Sequence, residues 1–277
     1  MSETMKRFKK TKLIFLLIFV SWFSWFIQAA GAFQFNVDPP RISLNIKPGE
    51  KKSGYIHITN TSKKDIIHIK AYSLDVIYLP DGSNDFVPVG STPWSLKDWL
   101  KINPNEFDIL PNQEQTVRFQ VKVPPEAKGG FYGVIFFEMN SPQQLKKEQT
   151  TITIGVRIGT IVLVEAAGSA VYSAKINALE VVKKDNGYQI GCTIQNSGNI
   201  LIRPFGNAQI LNASNKVAAE ISLNPNKEGI FPQTSRKLTV DYKEPIGQGQ
   251  YLVRLLLDYG GDTLLGAQAS FNANSGE

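Results

Sequence analysis

The stretch Tyr55-Ile56-His57-Ile58-Thr59 alternates polar and apolar residues, ends at the turn Asn60-Thr61-Ser62, and decides the fold because the same order occurs twice. In the second half, Tyr188-Gln189-Ile190-Gly191-Cys192-Thr193-Ile194 likewise leads into Asn196-Ser197-Gly198. A two-residue alternation is typical of a β-strand with one buried face. Its repetition, followed in both halves by a proline, an alternating strand and a glycine-led strand, indicates two related β domains in tandem.

The chain therefore reads as all-β, with two immunoglobulin-like β-sandwich domains of about seven strands each. The domains are expected at residues 33–167 and 168–277, joined by the small residues Ala166-Ala167-Gly168-Ser169. Residues 93–100 fit either a short helical turn or a loop that packs two tryptophans on a sheet edge. We expect strands at 41–47, 52–60, 66–78, 99–103, 116–123, 130–139, 149–165, 173–183, 188–196, 203–211, 217–223, 236–242, 249–259 and 264–272.

The N-terminus predicts export. Five basic residues lie between Lys6 and Lys12, Leu13 to Ile27 is apolar apart from two serines, and Ala30-Gly31-Ala32 suits a signal peptidase. We expect residues 1–32 to be a signal peptide cleaved after Ala32, with an uncleaved membrane anchor as the alternative. Membrane contact is expected only through this segment. The mature protein would lie in the periplasm or at the cell surface.

The positive charge belongs mostly to that segment. Removing residues 1–32 takes away five basic residues and one acidic residue, so the formal charge falls from +6 to about +2. The remaining lysine pairs are isolated, and no dense basic stripe with interleaved aromatic residues is left. The composition therefore argues against a nucleic-acid partner.

The residues give no sign of catalysis, a metal or a cofactor. Cys192 is the only cysteine, shares strand phase with Ile190 and Ile194, and is expected to be a core residue. His57 and His68 lie on the polar phase of their strands and are expected at the surface. No nucleophile elbow, phosphate loop or dinucleotide fingerprint occurs. The sequence predicts a non-enzymatic protein without cofactors.

The first domain resembles the N-terminal domain of periplasmic pilus-assembly chaperones, and the whole chain resembles two-domain WxL-interacting bacterial surface proteins. The residues similar to the chaperones are Pro40-Arg41-Ile42, Asn60-Thr61-Ser62, Ile102-Asn103-Pro104 and Ile109-Leu110-Pro111-Asn112-Gln113-Glu114-Gln115-Thr116-Val117. Those similar to the surface proteins are Gly130-Phe131-Tyr132-Gly133-Val134-Ile135-Phe136, Arg157-Ile158-Gly159-Thr160, Asn196-Ser197-Gly198-Asn199, Arg203-Pro204-Phe205-Gly206 and Phe231-Pro232.

The chaperone resemblance implies a mechanism of partner binding. The last strand of the first domain would lend alternating apolar residues to an incomplete sandwich in a subunit, and a cleft arginine would hold the subunit's terminal carboxylate. By that resemblance Arg41 is the cleft arginine, and the lending residues are Ile152, Ile154, Val156 and Ile158. The family's cleft lysine is replaced by Gly159, so the second anchor would be Arg157 or would be missing.

Two functions are open from the sequence. In the first, the protein is a chaperone-like factor that helps to assemble surface or pilus-type subunits by β-strand pairing with an extracytoplasmic protein. In the second, it is a stationary envelope component that binds a surface protein or polymer through its sandwich faces, and the strand Thr151–Ile158 is buried in its own core. These readings differ in whether Val156 and its neighbours face a partner or the core.

Overall fold

The computed structural model describes residues 35–79, 83–139, 145–147, 150–152 and 155–273, which form strands and turns without an α-helix in those ranges. The predicted signal peptide and its cleavage site lie outside the described residues. The strands are β1 (Phe35–Asp38), β2 (Arg41–Ile46), β3 (Lys51–Asn60), β4 (Ile67–Tyr78), β5 (Asn84–Val87), β6 (Leu100–Asn103), β7 (Glu106–Ile109), β8 (Glu114–Lys122), β9 (Gly129–Met139), β10 (Leu145–Lys147), β11 (Thr150–Ile152), β12 (Val156–Ala166), β13 (Ala174–Lys184), β14 (Gly187–Asn196), β15 (Phe205–Asn212), β16 (Val217–Leu223), β17 (Ser235–Tyr242), β18 (Gly249–Asp258) and β19 (Leu265–Ala273).

The chain is all-β and forms two immunoglobulin-like sandwiches, as the sequence predicts. In the first, a sheet of order β1-β3-β8-β6 packs on a sheet of order β2-β12-β9-β4-β5, and β7 also pairs with β4. In the second, β13-β14-β17 packs on β16-β15-β18-β19. The apolar phase of each strand points between the sheets, so each sandwich has its own buried cluster.

The strand predictions fail at short elements of the first domain. The described residues there contain β1, β5, β7 and β10 in addition to the expected strands, because three or four residues are too few for an alternation to be recognised. The single strand expected at 149–165 is also wrong. Its first part, β11, forms a hairpin with β10, and only β12 joins the main sheet. Residues 93–99 form turns and connecting loop, Leu100 begins β6, and Trp94 is buried.

One buried asparagine in each domain explains the repeated sequence. The Asn60 amide donates to the carbonyls of Asp65 and Ile109 at 2.8 and 2.9 Å, and its oxygen accepts the Ser62 N–H. Asn196 repeats the arrangement, donating to Ile200 and Ile230 at 2.8 and 2.9 Å and accepting from the backbone two residues on. Both are fully buried. Each side chain pins a turn to a distant strand by satisfying main-chain groups that would otherwise be buried unpaired.

The expected surface and core positions of three other residues agree with the structure. His57 and His68 are part-exposed, with their rings hydrogen-bonded to carboxylates of neighbouring strands. Cys192 is fully buried in the second core. Burial raises the pKa of its thiol to about 12, so the reactive thiolate is scarce at neutral pH.

Replacing either buried asparagine with alanine should destabilise its own sandwich by about 2–4 kcal/mol, because three hydrogen bonds disappear and two carbonyls are left buried. Asn212→Ala is the matched control: its oxygen accepts the Ser214 and Lys216 N–H groups in an exposed turn. We expect that change to cost less than about 1 kcal/mol. Urea unfolding of the three variants measures the difference, and equal losses at buried and exposed positions would contradict this account.

The His68 ring should stabilise the first domain at acidic pH. Hydrogen bonds to Asp108 and then to Glu106 raise its pKa above the ordinary 6.5. Lys70 of the same strand and Glu138 of β9 are further charged groups nearby. Because the folded state holds the proton more tightly, the stabilisation is complete below about pH 6.5 and disappears as the pH rises through the raised pKa. Urea titrations below pH 6.5 and above the raised pKa should give different free energies of unfolding in the wild type. The double variant Asp108→Asn/Glu106→Gln should lack this difference, and NMR can follow the titration of the His68 ring directly.

Candidate partner-binding site at the domain junction

The strand β12 is paired along both edges only in its second half. On one side β9 pairs with it from Val156 to Ala166, whereas on the other β2 pairs with it from Ile161 onward. The covered part begins where the Thr160 hydroxyl donates to the Pro39 carbonyl and the Ile161 N–H donates to the Pro40 carbonyl. Within the described residues, no strand therefore pairs with the edge from Val156 to Gly159, although β1 of the other sheet passes near β12. We call these four residues the open edge.

The main-chain groups available at the open edge follow from strand geometry. Successive residues of a strand present their N–H and C=O groups to opposite sides. The Ile161 N–H points toward β2, so Gly159 and Arg157 present their main-chain groups to that same, unoccupied side. An incoming strand could pair with both residues without disturbing the β9 ladder.

The apolar side chains of the open edge face the domain's own core. Val156 and Ile158 are half-buried and pack against the hydrophobic core of the first domain, as does Val37 of β1. Their partial exposure means that an added strand would complete their burial. Of the other two predicted lending residues, Ile152 lies in the β10–β11 hairpin and its side chain is outside the described part of the chain, as is all of Ile154.

Arg157 points to the opposite face of the sheet and is already engaged. Its guanidinium lies over the rings of Phe136 and Phe86, 4.8 and 5.8 Å from their centroids. It also neighbours Tyr72, which donates a 2.5 Å hydrogen bond to Glu138. The expectation that Arg157 replaces the missing cleft lysine therefore has no support in the geometry.

A different arginine lies beside Arg41. Arg203, just before β15 in the second domain, is half-buried at the junction, and its guanidinium donates to the Lys227 carbonyl at 3.0 Å. Burial first, and then the positive charge of Arg41, lower the pKa of Arg203. The Arg41 side chain is exposed and makes no hydrogen bond or ion pair with any described residue. Two neighbouring cations of this kind favour binding of an anion.

Arg203 lines a cleft of about 320 Å³ between the domains, and Arg41 lies on β2 two residues before Ser43, another residue of that lining. One wall is the outer face of β2 and β12, and the other is the segment around Leu201 in the second domain. The lining residues are Ser43, Leu44, Asn45, Tyr132, Leu163, Val164, Glu165, Tyr172, Ile200, Leu201 and Arg203. The cleft thus combines an apolar floor with a few charged and polar groups, as ligand sites do.

Phe231 fixes the shape of the cleft by joining the two domains. It projects from the loop between β16 and β17 into the first domain and stacks on Trp94 at 4.8 Å and Tyr78 at 4.7 Å, with Tyr132 at 5.4 Å. The Tyr132 hydroxyl accepts the Leu201 N–H at 2.6 Å, and the Gly130 N–H donates to the Asn199 carbonyl at 2.8 Å. Burial is the main cause that raises the pKa of Tyr132.

Sequence reasoning missed the roles of Arg203 and Phe231. The sequence placed Arg203 at the start of the strand 203–211 and both residues in stretches that define turns and strand starts. The usable signal was that Phe231 is a large apolar residue shortly after the polar stretch Asn224–Gly229. Their partners in the first domain could not have been named from spacing.

No protein-family model matches the chain, and no curated protein matches it. Among solved structures, the chain is similar to the chaperone–tip adhesin complex of CFA/I fimbriae biogenesis, with 18% identity and a TM-score of 0.46 over 86% of this chain and 98% of that one. It is also similar to the class 5 fimbriae chaperone CfaA, with 15% identity and 0.45 over 84% and 98%. A third is the Salmonella enterica SafB chaperone complex with the SafA pilin, with 12% identity and 0.44 over 86% and 98%.

The structures similar to this chain thus include pilus-assembly chaperones, the class that the sequence resembles. The fold assignment rests on the strand order and the two cores given above. The resemblance to WxL-interacting proteins stays a prediction. Within the ranges that the structure describes, no helix is long and apolar enough to cross a membrane, and no group of three or more His, Cys, Asp and Glu residues could hold a metal ion.

Replacing Phe231 with alanine should loosen the junction while both cores stay folded. The residue belongs to the aromatic cluster of the first domain's outer face and not to the second core. We expect the coupling between domains to weaken by about 3 kcal/mol, the cost of a buried phenylalanine. Trp94 emission should shift to the red and proteolysis should reach residues 167–173. Phe205→Ala, an exposed aromatic of the second domain, is the control; unchanged emission in Phe231→Ala would refute the role.

Proposed function

We propose that this protein is a non-enzymatic, extracytoplasmic chaperone-like factor that binds a surface or pilus-type subunit by β-strand pairing. The observation that carries this proposal is that the open edge ends beside Arg41, which has Arg203 as a neighbour, and that neither arginine has a carboxylate partner among the described residues. Main-chain bonds along the edge would supply affinity, and the arginines would fix the register of the added strand. Export through residues 1–32 is part of the proposal and places the partner outside the cytoplasm.

The open edge suits reversible addition of a strand. An unpaired edge is a risk, because it can pair with any exposed strand, and proteins limit such edges by keeping them short or charged. Here the edge is four residues long, begins after Gly155 and carries Arg157. A partner strand would bury the remaining exposed surface of Val156 and Ile158 on its inner side.

The arginines suit a carboxylate at the end of the open edge. β2 occupies the same side of β12 from Ile161 onward, so an added strand must leave the sheet where Arg41 begins that pairing. At this point the guanidinium of Arg41 is exposed and that of Arg203 is half-buried. A carboxylate between them would relieve their mutual repulsion and form charge-assisted hydrogen bonds.

Substitution by proline tests strand pairing without altering the core. Arg157→Pro removes an N–H that points away from β9, and proline is tolerated at such edge positions. Partner binding should fall at least about tenfold, the effect of losing a main-chain bond and the edge geometry, whereas Arg157→Ala should retain it. Ile158→Pro is the opposite control, since its N–H points toward β9 and the domain should unfold.

The arginine contact is tested by Arg41→Ala and Arg203→Gln in the tagged mature protein purified from its own envelope. Both variants should melt like the wild type and lose partner copurification by about tenfold or more. Partner retention in both arginine variants and in Arg157→Pro, together with tight association with the envelope, would favour a stationary surface component instead.

A further inference from the structure

The lining of the cleft contains an acidic side chain, Glu165, as well as the cationic Arg203. On its β2–β12 wall, the cross-strand pairs are Arg41 with Ile161, Ser43 with Leu163, and Asn45 with Glu165. These positions share one face of the sheet, because the residues between them point into the core. Arg41 and Glu165 are therefore four residues apart along the strands, about 13 Å.

Glu165 has no counterion in the part of the chain that the structure describes. Its side chain is half-buried and makes no hydrogen bond or ion pair with a described residue. Arg203 lines the same cleft, but no ion pair joins the two side chains. A carboxylate held partly out of water without a partner loses hydration and gains nothing in return, so a cation placed there is favourable.

The surface between the two charged ends is mostly apolar, with Ser43 as a polar group beside Leu163. Leu163 of β12 faces Leu201 of the second domain, and Ile200 and Tyr132 complete the floor. The Tyr132 hydroxyl is already engaged by the Leu201 N–H. The surface therefore offers a positive end, a mostly apolar middle and a negative end. A partner segment that ended with its carboxylate at the positive end would leave the other two parts unused.

We propose that the bound partner segment does not end at Arg41 and Arg203. It carries an aspartate or glutamate there, continues through the cleft for about four extended residues, and puts a lysine or arginine against Glu165. This inference rests on the proposed function, because it is the open edge that directs an added strand toward Arg41. We take the added strand to run parallel to β12, as β2 does, so that the residues following its carboxylate enter the rest of the cleft.

Synthetic peptides provide the probe. The first alternates threonine and valine for the open edge, then carries a glutamate, three small or apolar residues and a lysine, with acetylated and amidated ends. The second replaces the lysine with glutamine, the third replaces it with glutamate, and the fourth stops at the glutamate position with a free terminal carboxylate. Fluorescence anisotropy measures each affinity for the mature protein.

The wild type should bind the lysine peptide about three- to tenfold more tightly than the glutamine peptide, the effect expected of one partly screened charge contact. Glu165→Gln should abolish this preference, and Glu165→Lys should transfer it to the glutamate peptide. Glu244→Gln, an exposed carboxylate away from the cleft, should change nothing. Melting temperatures should stay close to that of the wild type, because the Glu165 side chain makes no hydrogen bond or ion pair with a described residue.

The possible failures can be told apart. Equal binding of the lysine and glutamine peptides, or a preference that survives Glu165→Gln, overturns the inference. Tightest binding of the peptide with the terminal carboxylate also overturns it, while leaving strand pairing intact if Arg41→Ala and Arg157→Pro still weaken that peptide. If neither of those variants weakens any peptide, the proposed function itself is wrong.

Discussion

The contact between Phe231 and the aromatic residues of the first domain is the constraint on which the candidate site depends. Two sandwiches joined by a short linker would otherwise rotate against each other, since interfaces within a chain are usually small and polar. Stacking on Trp94 and Tyr78 provides a fixed apolar contact at the junction. Only with that contact in place do Arg41 from one domain and Arg203 from the other lie close enough to influence one another.

In the first domain, the outer face of the sheet β2-β12-β9-β4-β5 is unusual for a two-layer sandwich because it holds an apolar cluster of its own. Trp94, Val134 and Phe136 are buried there, away from the main core. Each layer of such a fold normally keeps one face wet, with polar residues in alternation. Here the turns at 88–99 and the loop that carries Phe231 cover that face. This explains why β9 is apolar on both phases and why its sequence reads as continuous rather than alternating.

Long alternating strands could be predicted from the sequence because their pattern is local. The expected 217–223 matches β16, and 116–123 differs from β8 by two residues at one end and one at the other. The buried asparagines Asn60 and Asn196 supplied the repeat that revealed two domains. Contacts between the halves could not be predicted in this way. The proximity of Arg203 to Arg41 and the insertion of Phe231 depend on the angle between the domains. The periodicity of a sequence carries no information about that angle.

The position of Cys192 has a practical consequence for measuring the folding of this protein. The chain contains one cysteine, and that cysteine is fully buried in the second sandwich. Its alkylation therefore requires the second core to open, whatever the first domain does. The rate of modification by a thiol reagent reports the opening of one domain inside the intact two-domain chain, without an introduced label. Comparing that rate with tryptophan emission, which comes from the first domain in a chain lacking residues 1–32, would resolve whether the two sandwiches open together or in turn.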